Sequence, residues 1–325
     1  VFILIILYNM FKGVDFMKNI TVIGGGVLGS QIAFQTSYSG KKCTVYVMDD
    51  KCKMELITKL DALKDNYIMA IKDMTDKKDW CRGISDYDTF DKDKCLEMVQ
   101  KGYDNIVIET DLSKAVSEAD LVIESITEDF NIKRNFYEKL SKLLPEKTIV
   151  VTNSSTMLPS KLCKYTGREN MFLALHFANS IWKNNVVEVM KHSKTDDKYF
   201  KMVMEFGKEI NMIPLPVEKE KSGYLLNSML IPFLFSSLDL LVNGISDVES
   251  IDKAWKYGTG APEGPFEILD KVGLVTAYNI VEMYVKIPSF LAPYNFKGIS
   301  KMLKVYIDKG KTGKSSGEGF YKYYD

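Results

Sequence analysis

Short apolar runs rich in β-branched side chains recur along the chain, and such runs are typical of buried strands. They cover Ile20–Ile23, Thr44–Met48, Leu121–Ile126, Thr148–Thr152, Phe172–Phe177 and Val186–Met190. Helix-compatible segments such as Val27–Ser37 separate most of these runs. Because strands joined through helices pair in parallel, we predict an α/β fold with a largely parallel sheet.

Between Lys51 and Gln100 the chain becomes more charged, and its apolar periodicity is weaker. The clearest apolar residues at helical spacing there are Leu56, Leu60, Leu63 and Tyr67. This spacing places them on one face of a helix. We therefore predict a helical excursion after the second strand.

The pattern changes near Lys219, after which no alternation typical of strands follows. Tyr224–Asn243 predicts one long apolar helix that ends at Gly244. A length of 325 residues also favours two domains, because hydrophobic cores usually split at roughly 100 to 200 residues per domain. We predict a sheet domain over residues 17–218 and an all-α domain over residues 219–325.

Residues 1–16 stand apart from this organisation. The segment Phe2–Leu7 is apolar, but it is too short to span a membrane and lacks the basic start of a signal peptide. We expect Met17 to be the native start and the preceding residues to be a non-native extension. The alternative is a genuine extra edge strand or anchor.

Charge and cysteine content limit the kinds of partner, metal site and cellular compartment that we expect. Lys plus Arg and Asp plus Glu each number 43, so there is no basic excess to attract nucleic acid, and we expect a small-molecule substrate and no membrane partner. The cysteines show no CxxC pair and no histidine at metal-ligand spacing, which predicts no metal site and a reduced, cytoplasmic protein. They are Cys43, Cys52, Cys81, Cys95 and Cys163.

The first predicted strand leads into a glycine-rich turn in which Gly24, Gly26 and Gly29 fit the pattern GxGxxG. In that pattern the glycines permit a tight turn, close approach of a pyrophosphate and close packing of a helix on a strand. The pattern alone also fits a plain turn. Its position between a strand and a helix predicts a Rossmann-type dinucleotide site at Gly24, Gly26, Val27, Leu28 and Gly29.

An acidic residue at the end of the second strand completes this fingerprint, because its carboxylate accepts hydrogen bonds from the ribose hydroxyls. Asp49 stands at that position, and Asp50 follows it. A 2′-phosphate would meet negative charge there. We therefore predict NAD as the cofactor rather than NADP.

Histidine is scarce, with only His176 and His192 in the chain. A dehydrogenase that oxidises an alcohol needs a base that titrates near neutrality. His176 ends an apolar run, at the edge where open α/β sheets bind their ligands. His192 lies between Lys191 and Ser193, which is typical of a solvated loop residue.

Glu188 interrupts the apolar run Val186–Met190 and is a candidate partner for His176. If the two strands pair, the side chains face each other, and the carboxylate selects the imidazole tautomer. A buried structural ion pair is the alternative interpretation.

Polar residues also follow the strand that ends at Thr152, in the segment Asn153–Thr156. Their hydroxyls emerge at the carboxyl end of the sheet, where they can bind substrate oxygen or cofactor. Ser and Asn are equally common as turn and helix-capping residues.

Taken together with these residues, the chain from Met17 to its end resembles the L-3-hydroxyacyl-CoA dehydrogenase family, which includes bacterial 3-hydroxybutyryl-CoA dehydrogenases. Five motifs in family order carry the resemblance. They are Gly24–Gly29, Ile123–Glu128, Thr152–Ser155, Gly264–Leu274 and Gly317–Tyr321.

The resemblance implies a catalytic role for four residues. His176 would be the general base for the 3-hydroxyl, Glu188 would orient it, and Ser155 would hydrogen-bond the reacting oxygen. Asn227 matches an asparagine that helps to hold the substrate. Without the resemblance, Asn227 is a polar residue on an apolar helix.

The resemblance also implies cofactor contacts at Glu128, Lys133 and Asn179, and a homodimer. Without it, Glu128 is an ordinary loop acid and Lys133 a solvated helix residue. The predicted reaction is reversible oxidation of a short L-3-hydroxyacyl-CoA by NAD, as in fatty acid metabolism.

Departures from the family pattern concern the substrate more than the chemistry. Ser180 replaces the proline that usually follows Asn179, and Ser315, beside Lys314, replaces a usual lysine. Serines also stand at 222 and 228, where relatives usually have Pro and Arg.

The helical excursion lacks the net basic excess expected for binding the phosphates of CoA. Together with Trp182, this keeps open a dehydrogenase that acts on a 3-hydroxy acid without CoA. A non-catalytic NAD-binding protein is the third possibility.

Overall fold

The computed structural model describes residues 17–323, and the predicted extension over residues 1–16 lies outside them. The chain forms two compact units that meet in sequence between Leu225 and Leu226. The sequence pattern predicts this change at residue 219 instead. The first unit extends further because Tyr224 is buried in a cluster with Ala174, Met190 and Val217.

The first unit contains one eight-stranded sheet in the order β3-β2-β1-β4-β5-β6-β7-β8. Neighbouring strands pair in parallel except β6 and β7, which are antiparallel. This confirms the predicted α/β fold with a largely parallel sheet. The strands are β1 Asn19–Ile23, β2 Lys42–Tyr46, β3 Ile106–Glu109, β4 Leu121–Glu124, β5 Ile149–Thr152, β6 Phe172–Phe177, β7 Val186–Met190 and β8 Ile213–Val217.

Helices flank the sheet, and the longest of them in this unit begins directly after β2. The predicted excursion is confirmed as two helices, α2 and α3, and its four predicted apolar positions are all buried. The helices are α1 Val27–Tyr38, α2 Asp50–Thr75, α3 Lys92–Asp104, α4 Leu112–Val116, α5 Phe130–Leu140, α6 Pro159–Leu162 and α7 Asp197–Glu209.

The strand predictions missed β3 and β8, which form the two edges of the sheet. β8 contains Pro214 and Pro216, and a proline cannot donate to a neighbouring strand. An edge strand tolerates this because one side of its backbone faces no partner. β3 is short, and Val107 within it is exposed. Neither segment forms the fully buried run that identified the central strands.

The second unit is all α, as predicted. The helix predicted over Tyr224–Asn243 begins later, because Gly223 and Tyr224 have φ angles of +81° and +53°. Among the residues that the structure describes, no helix is both long and apolar enough to cross a membrane. The helices are α8 Leu226–Val242, α9 Val248–Thr259, α10 Pro265–Val272, α11 Leu274–Glu282 and α12 Phe296–Asp308.

The buried carboxylate of Asp270 holds the C-terminal segment against α10. Its oxygens accept hydrogen bonds from Phe320 N at 2.8 Å, Tyr321 N at 2.9 Å and the Tyr323 hydroxyl at 3.0 Å. A Cβ atom on Gly319 would lie 2.0 Å from Asp270 Oδ1. The two C-terminal sequence motifs therefore form one packing unit.

Candidate active site

The glycine turn between β1 and α1 has no room for side chains at two of its positions. Gly24 has a φ of +105°, and a Cβ atom there would lie 2.6 Å from Ser125 O. A Cβ atom on Gly29 would lie 2.0 Å from Gly24 O. These contacts keep α1 close to the strand, as the motif requires.

Gly26 differs from both, because a Cβ atom there would meet nothing within 4 Å. It precedes α1, and no side chain caps the helix at this position. Among the described residues, no side chain therefore covers the backbone N–H groups at the start of the helix, where Val27 and Leu28 lie. A helix N-terminus of this kind binds phosphate. The turn fits the pyrophosphate of a dinucleotide.

Asp49 follows β2 and is exposed, as the dinucleotide fingerprint requires. Its Oδ1 accepts a hydrogen bond from Cys52 N at 2.8 Å, so the side chain also caps α2. This hydrogen bond holds the pKa of the Asp49 carboxyl below its usual value. The group is therefore anionic near neutral pH, which disfavours a 2′-phosphate.

His176 and Glu188 lie directly opposite each other in the antiparallel pair β6 and β7. His176 Nδ1 is 3.0 Å from Glu188 Oε2, and both residues are buried. Because a carboxylate only accepts hydrogen bonds, Nδ1 is the donor, and in the neutral imidazole Nε2 is then the nitrogen with the lone pair. The second oxygen, Oε1, accepts from Leu225 N at 2.7 Å. This is the geometry of an oriented base.

Ser155 lies on the turn after β5, with its Oγ 3.1 Å from His176 Nε2. The strand β5 neighbours β6, so the two side chains meet at the carboxyl ends of adjacent parallel strands. An oxygen bound here can contact the serine hydroxyl and the imidazole together. The structure thus brings together three of the four predicted catalytic residues.

A buried carboxylate that the sequence interpretation missed lies at the end of β4. Glu124 is fully buried and accepts hydrogen bonds from Lys133 Nζ at 2.5 Å, Tyr137 Oη at 2.7 Å and Thr152 Oγ1 at 2.8 Å. Lys133 is only 1% exposed, so its interpretation as a solvated helix residue is wrong. The Glu124 carboxylate is the partner that allows the Lys133 side chain to be buried beneath the site.

Glu128 lies between this buried pair and the serine turn. It accepts hydrogen bonds from the hydroxyls of Ser154 and Thr156, and its Oε2 is 3.3 Å from Lys133 Nζ. Burial opposes ionisation of Glu128, but the hydrogen bonds and the lysine outweigh it and hold its pKa below the usual value. The anion fixes the turn that carries Ser155.

His192 lies outside this site. It is 4% exposed, so the prediction of a solvated loop residue is wrong. Its Nε2 is 3.1 Å from Glu169 O, while its Nδ1 accepts from Lys194 N at 3.3 Å. Burial lowers the pKa of His192. Both ring nitrogens are engaged with backbone, so this histidine is structural.

The loop after β6 explains the serine that replaces a proline. Asn179 is exposed, and Ser180 has a φ of +57° with its N–H donating to Gln31 Oε1 at 2.9 Å. Proline permits neither this φ nor this hydrogen bond. Trp182 packs toward α2, with its ring 5.6 Å from that of Tyr67. The loop is thereby attached to the helical excursion.

Asn227 belongs to the second unit, where it is half-buried in the first turn of α8. Its substrate-binding role therefore stays a prediction.

A residue that the sequence interpretation missed is Tyr224, whose ring stacks on His176. The only signal in the sequence was its position beside Gly223. Within residues 17–323, no cluster of three or more potential ligands is placed to hold a metal ion.

Comparison with known families and structures agrees with this geometry. The family model for the NAD binding domain of 3-hydroxyacyl-CoA dehydrogenase matches residues 19–221. The model for the C-terminal domain of 3-hydroxyacyl-CoA dehydrogenase matches residues 223–323. Together these models cover both units of the chain.

Individual relatives share most of their length with this chain. Mitochondrial hydroxyacyl-coenzyme A dehydrogenase of Homo sapiens is 32% identical, over 94% of this chain and 91% of its own. The 3-hydroxybutyryl-CoA dehydrogenase of Clostridioides difficile is 28% identical, over 71% and 86%. A solved diketoreductase that acts on dicarbonyl compounds is 45% identical, with a TM-score of 0.82 and coverage of 94% and 99%. The chain therefore belongs to the 3-hydroxyacyl-CoA dehydrogenase family and is an NAD-dependent oxidoreductase.

Proposed function

We propose that the protein interconverts a short L-3-hydroxyacyl-CoA and the corresponding 3-ketoacyl-CoA. The observation that carries this proposal is the Ser155–His176–Glu188 arrangement, with 3.1 Å and 3.0 Å between successive partners. A structural ion pair alone would not need a hydroxyl at the free imidazole nitrogen. The names of the relatives support the acyl-CoA class.

In the oxidative direction His176 Nε2 takes the proton of the 3-hydroxyl as C3 becomes a carbonyl carbon. Glu188 holds the ring in the required tautomer and stabilises the imidazolium that forms. Ser155 hydrogen-bonds the reacting oxygen, and Asn227 contributes to substrate binding. When NAD is bound, it supplies the hydride acceptor. Gly24–Gly29 and Asp49 would hold its pyrophosphate and ribose, while Glu128, Lys133 and Asn179 would contribute on the nicotinamide side.

A second substrate class is favoured by specific observations. The diketoreductase is more similar in sequence than the human and Clostridioides difficile dehydrogenases are, at 45% against 32% and 28% identity. Two basic residues in or near the excursion are also engaged with acids, since Lys183 pairs with Asp79, and Lys78 lies 3.4 Å from Asp76. They are less available to CoA phosphates. A free 3-hydroxy acid or dicarbonyl compound is therefore the alternative substrate.

The two substrate classes are separated by NADH oxidation measured with acetoacetyl-CoA, free acetoacetate and a neutral dicarbonyl ester. We expect kcat/KM to be highest for acetoacetyl-CoA, because CoA adds binding surface remote from the reacting carbon. NADPH with the same substrates controls for cofactor choice. A higher kcat/KM for either free compound would replace the first proposal with the second.

We also propose that the protein is a homodimer, as the family resemblance implies. The second unit carries large apolar side chains that are exposed in the single chain, which is typical of an interaction surface. They include Met229, Met283, Phe290 and Leu291. Light scattering coupled to gel filtration should give twice the mass of 37.0 kDa. A monomeric mass at micromolar concentration would contradict this proposal.

A further inference from the structure

The last residues of the first unit contact both members of the His176–Glu188 pair. The Tyr224 ring stacks on the imidazole, with centroids 4.4 Å apart and planes inclined by 14°. The next residue, Leu225, donates its backbone N–H to Glu188 Oε1 at 2.7 Å. Tyr224 itself is 1% exposed. The base and its carboxylate are therefore each held from this segment.

Tyr224 makes a further contact on the opposite side of the site. Its hydroxyl donates to Ser154 O at 2.7 Å, directly before Ser155. Burial and nearby carboxylates raise the pKa of the phenol, so it stays protonated and remains a donor. One side chain thus connects the imidazole ring with the turn that carries the serine.

The backbone of this segment is unusual for its residue types. Tyr224 has a φ of +53°, directly after Gly223 at +81°. A non-glycine residue with a positive φ is uncommon, and a bulky one is disfavoured further. Such backbone strain persists where surrounding contacts enforce it, and it is concentrated at functional sites. Here the strained turn places the ring on His176 and the next N–H on Glu188.

We propose that Tyr224 is a positioning residue for His176. Its ring confines the imidazole to the orientation in which Nε2 faces Ser155. It also presents a π face to the imidazolium that forms when the base accepts a proton, which is a favourable cation–π contact. This inference rests on the proposed role of His176 as the base. Tyr224 acts through His176 and need not touch the substrate.

Two kinds of variant separate the ring from the hydroxyl. Tyr224→Phe keeps the stacked ring, and its kcat should stay within about threefold of the wild-type value. Tyr224→Leu removes the ring, and its kcat should fall by about 10- to 100-fold, because a loosely held base loses its alignment. KM for the keto substrate and Kd for NADH should stay within about twofold in both variants.

Tyr224→Asn provides a second ringless variant. Asparagine tolerates a positive φ, so this variant removes the ring and places a residue type that suits the backbone conformation at position 224. Its kcat should fall as in Tyr224→Leu even if its melting temperature is unchanged. If Tyr224 had a merely structural role, the loss of kcat in each variant would follow its loss of melting temperature, and Tyr224→Phe would not keep a kcat near the wild-type value.

His176→Gln, measured in parallel, separates a failure of the proposed function from a failure of the inference about Tyr224. If His176→Gln keeps near wild-type turnover, the proposed function fails whatever the tyrosine variants do. If His176→Gln is inactive while Tyr224→Leu and Tyr224→Asn turn over like wild type, only this inference is overturned. Equal losses in Tyr224→Phe and the ringless variants would also overturn it, since the ring would then not be the cause.

Discussion

At the residue scale, the chemistry depends on a hydrogen-bonded series that runs from Glu188 through His176 to Ser155. Glu188 accepts from His176 Nδ1, and this leaves His176 Nε2 to face Ser155. The sequence indicated this pairing because each residue is a polar exception at the end of, or within, an apolar strand. Antiparallel pairing then fixed the register of His176 on Glu188.

Glu188→Gln tests the tautomer directly. The amide keeps the shape of the carboxylate, but its NH₂ group donates to Nδ1 and so favours the tautomer with a protonated Nε2. We expect kcat to fall by about two to four orders of magnitude, as for other bases that lose their orienting carboxylate. Stopped-flow or steady-state NADH oxidation measures this loss. Glu205→Gln, on the exposed face of α7, is the control, and an equal effect there would contradict the assignment.

Asp49→Asn tests cofactor choice separately from catalysis. Asparagine still caps α2, so the local fold should be retained. Loss of the negative charge should lower the preference for NADH over NADPH in kcat/KM by about tenfold or more, because like charges repel strongly at close range. The neighbouring Asp50→Asn variant should change the ratio less, because Asp49 occupies the fingerprint position at the end of the second strand. An unchanged ratio in Asp49→Asn would mean that its carboxylate serves only as a helix cap.

Some site residues could not be predicted from the sequence. The interpretation of Lys133 as solvated failed because its partner Glu124 lies on β4, and a lysine is buried only when such a partner is present. Tyr224 was assigned to a regular helix because apolar periodicity does not report a positive φ. The Lys133 contact depends on how α5 folds back on β4, and Tyr224 contacts His176 and Ser154, which are distant from it in the chain.

At the element scale, the central strands were predictable and the edge strands were not. Strands that are covered on both faces are continuously apolar, as in β4 and β5, and this pattern is distinctive. Within the described residues β8 has one neighbouring strand, and it contains two prolines, so its sequence does not resemble that of a central strand. The helical excursion was predictable because only one face of α2 is buried.

The two C-terminal motifs predict a stability effect at Gly319. A Cβ atom there would lie 2.0 Å from Asp270 Oδ1, so Gly319→Ala must displace a carboxylate that fixes the C-terminal segment. We expect the free energy of unfolding to fall by about 1–3 kcal/mol, as for other overpacked sites. Urea unfolding of the full chain, followed by circular dichroism, measures the change.

Gly258→Ala is the matched control for that experiment. A Cβ atom on Gly258 would meet nothing within 4 Å, and the residue lies near the end of α9. The free energy of unfolding should be unchanged or higher by up to about 1 kcal/mol, because alanine favours helix. Equal destabilisation by the two substitutions would show that close packing on Asp270 is not the cause.

At the scale of the whole molecule, the first unit contains a complete dinucleotide turn and an oriented base at the carboxyl edge of one sheet. The open position at Gly26 lies on the turn after β1, whereas His176 and Glu188 are buried residues of β6 and β7. Fold, cofactor and family were accessible from local motifs. The identity of the substrate could not be predicted in this way, because the motifs lie around the reacting carbon and oxygen and do not contact the rest of the substrate.

The role of His176 as the base is tested most directly by the turnover of His176→Gln beside the wild-type protein, with NADH and the better of the keto substrates. Glutamine is of similar size but cannot accept and release a proton near neutral pH. We predict that kcat falls by at least about two orders of magnitude while Kd for NADH, from its fluorescence, stays unchanged. Near wild-type turnover in His176→Gln would contradict the assignment of this histidine as the base.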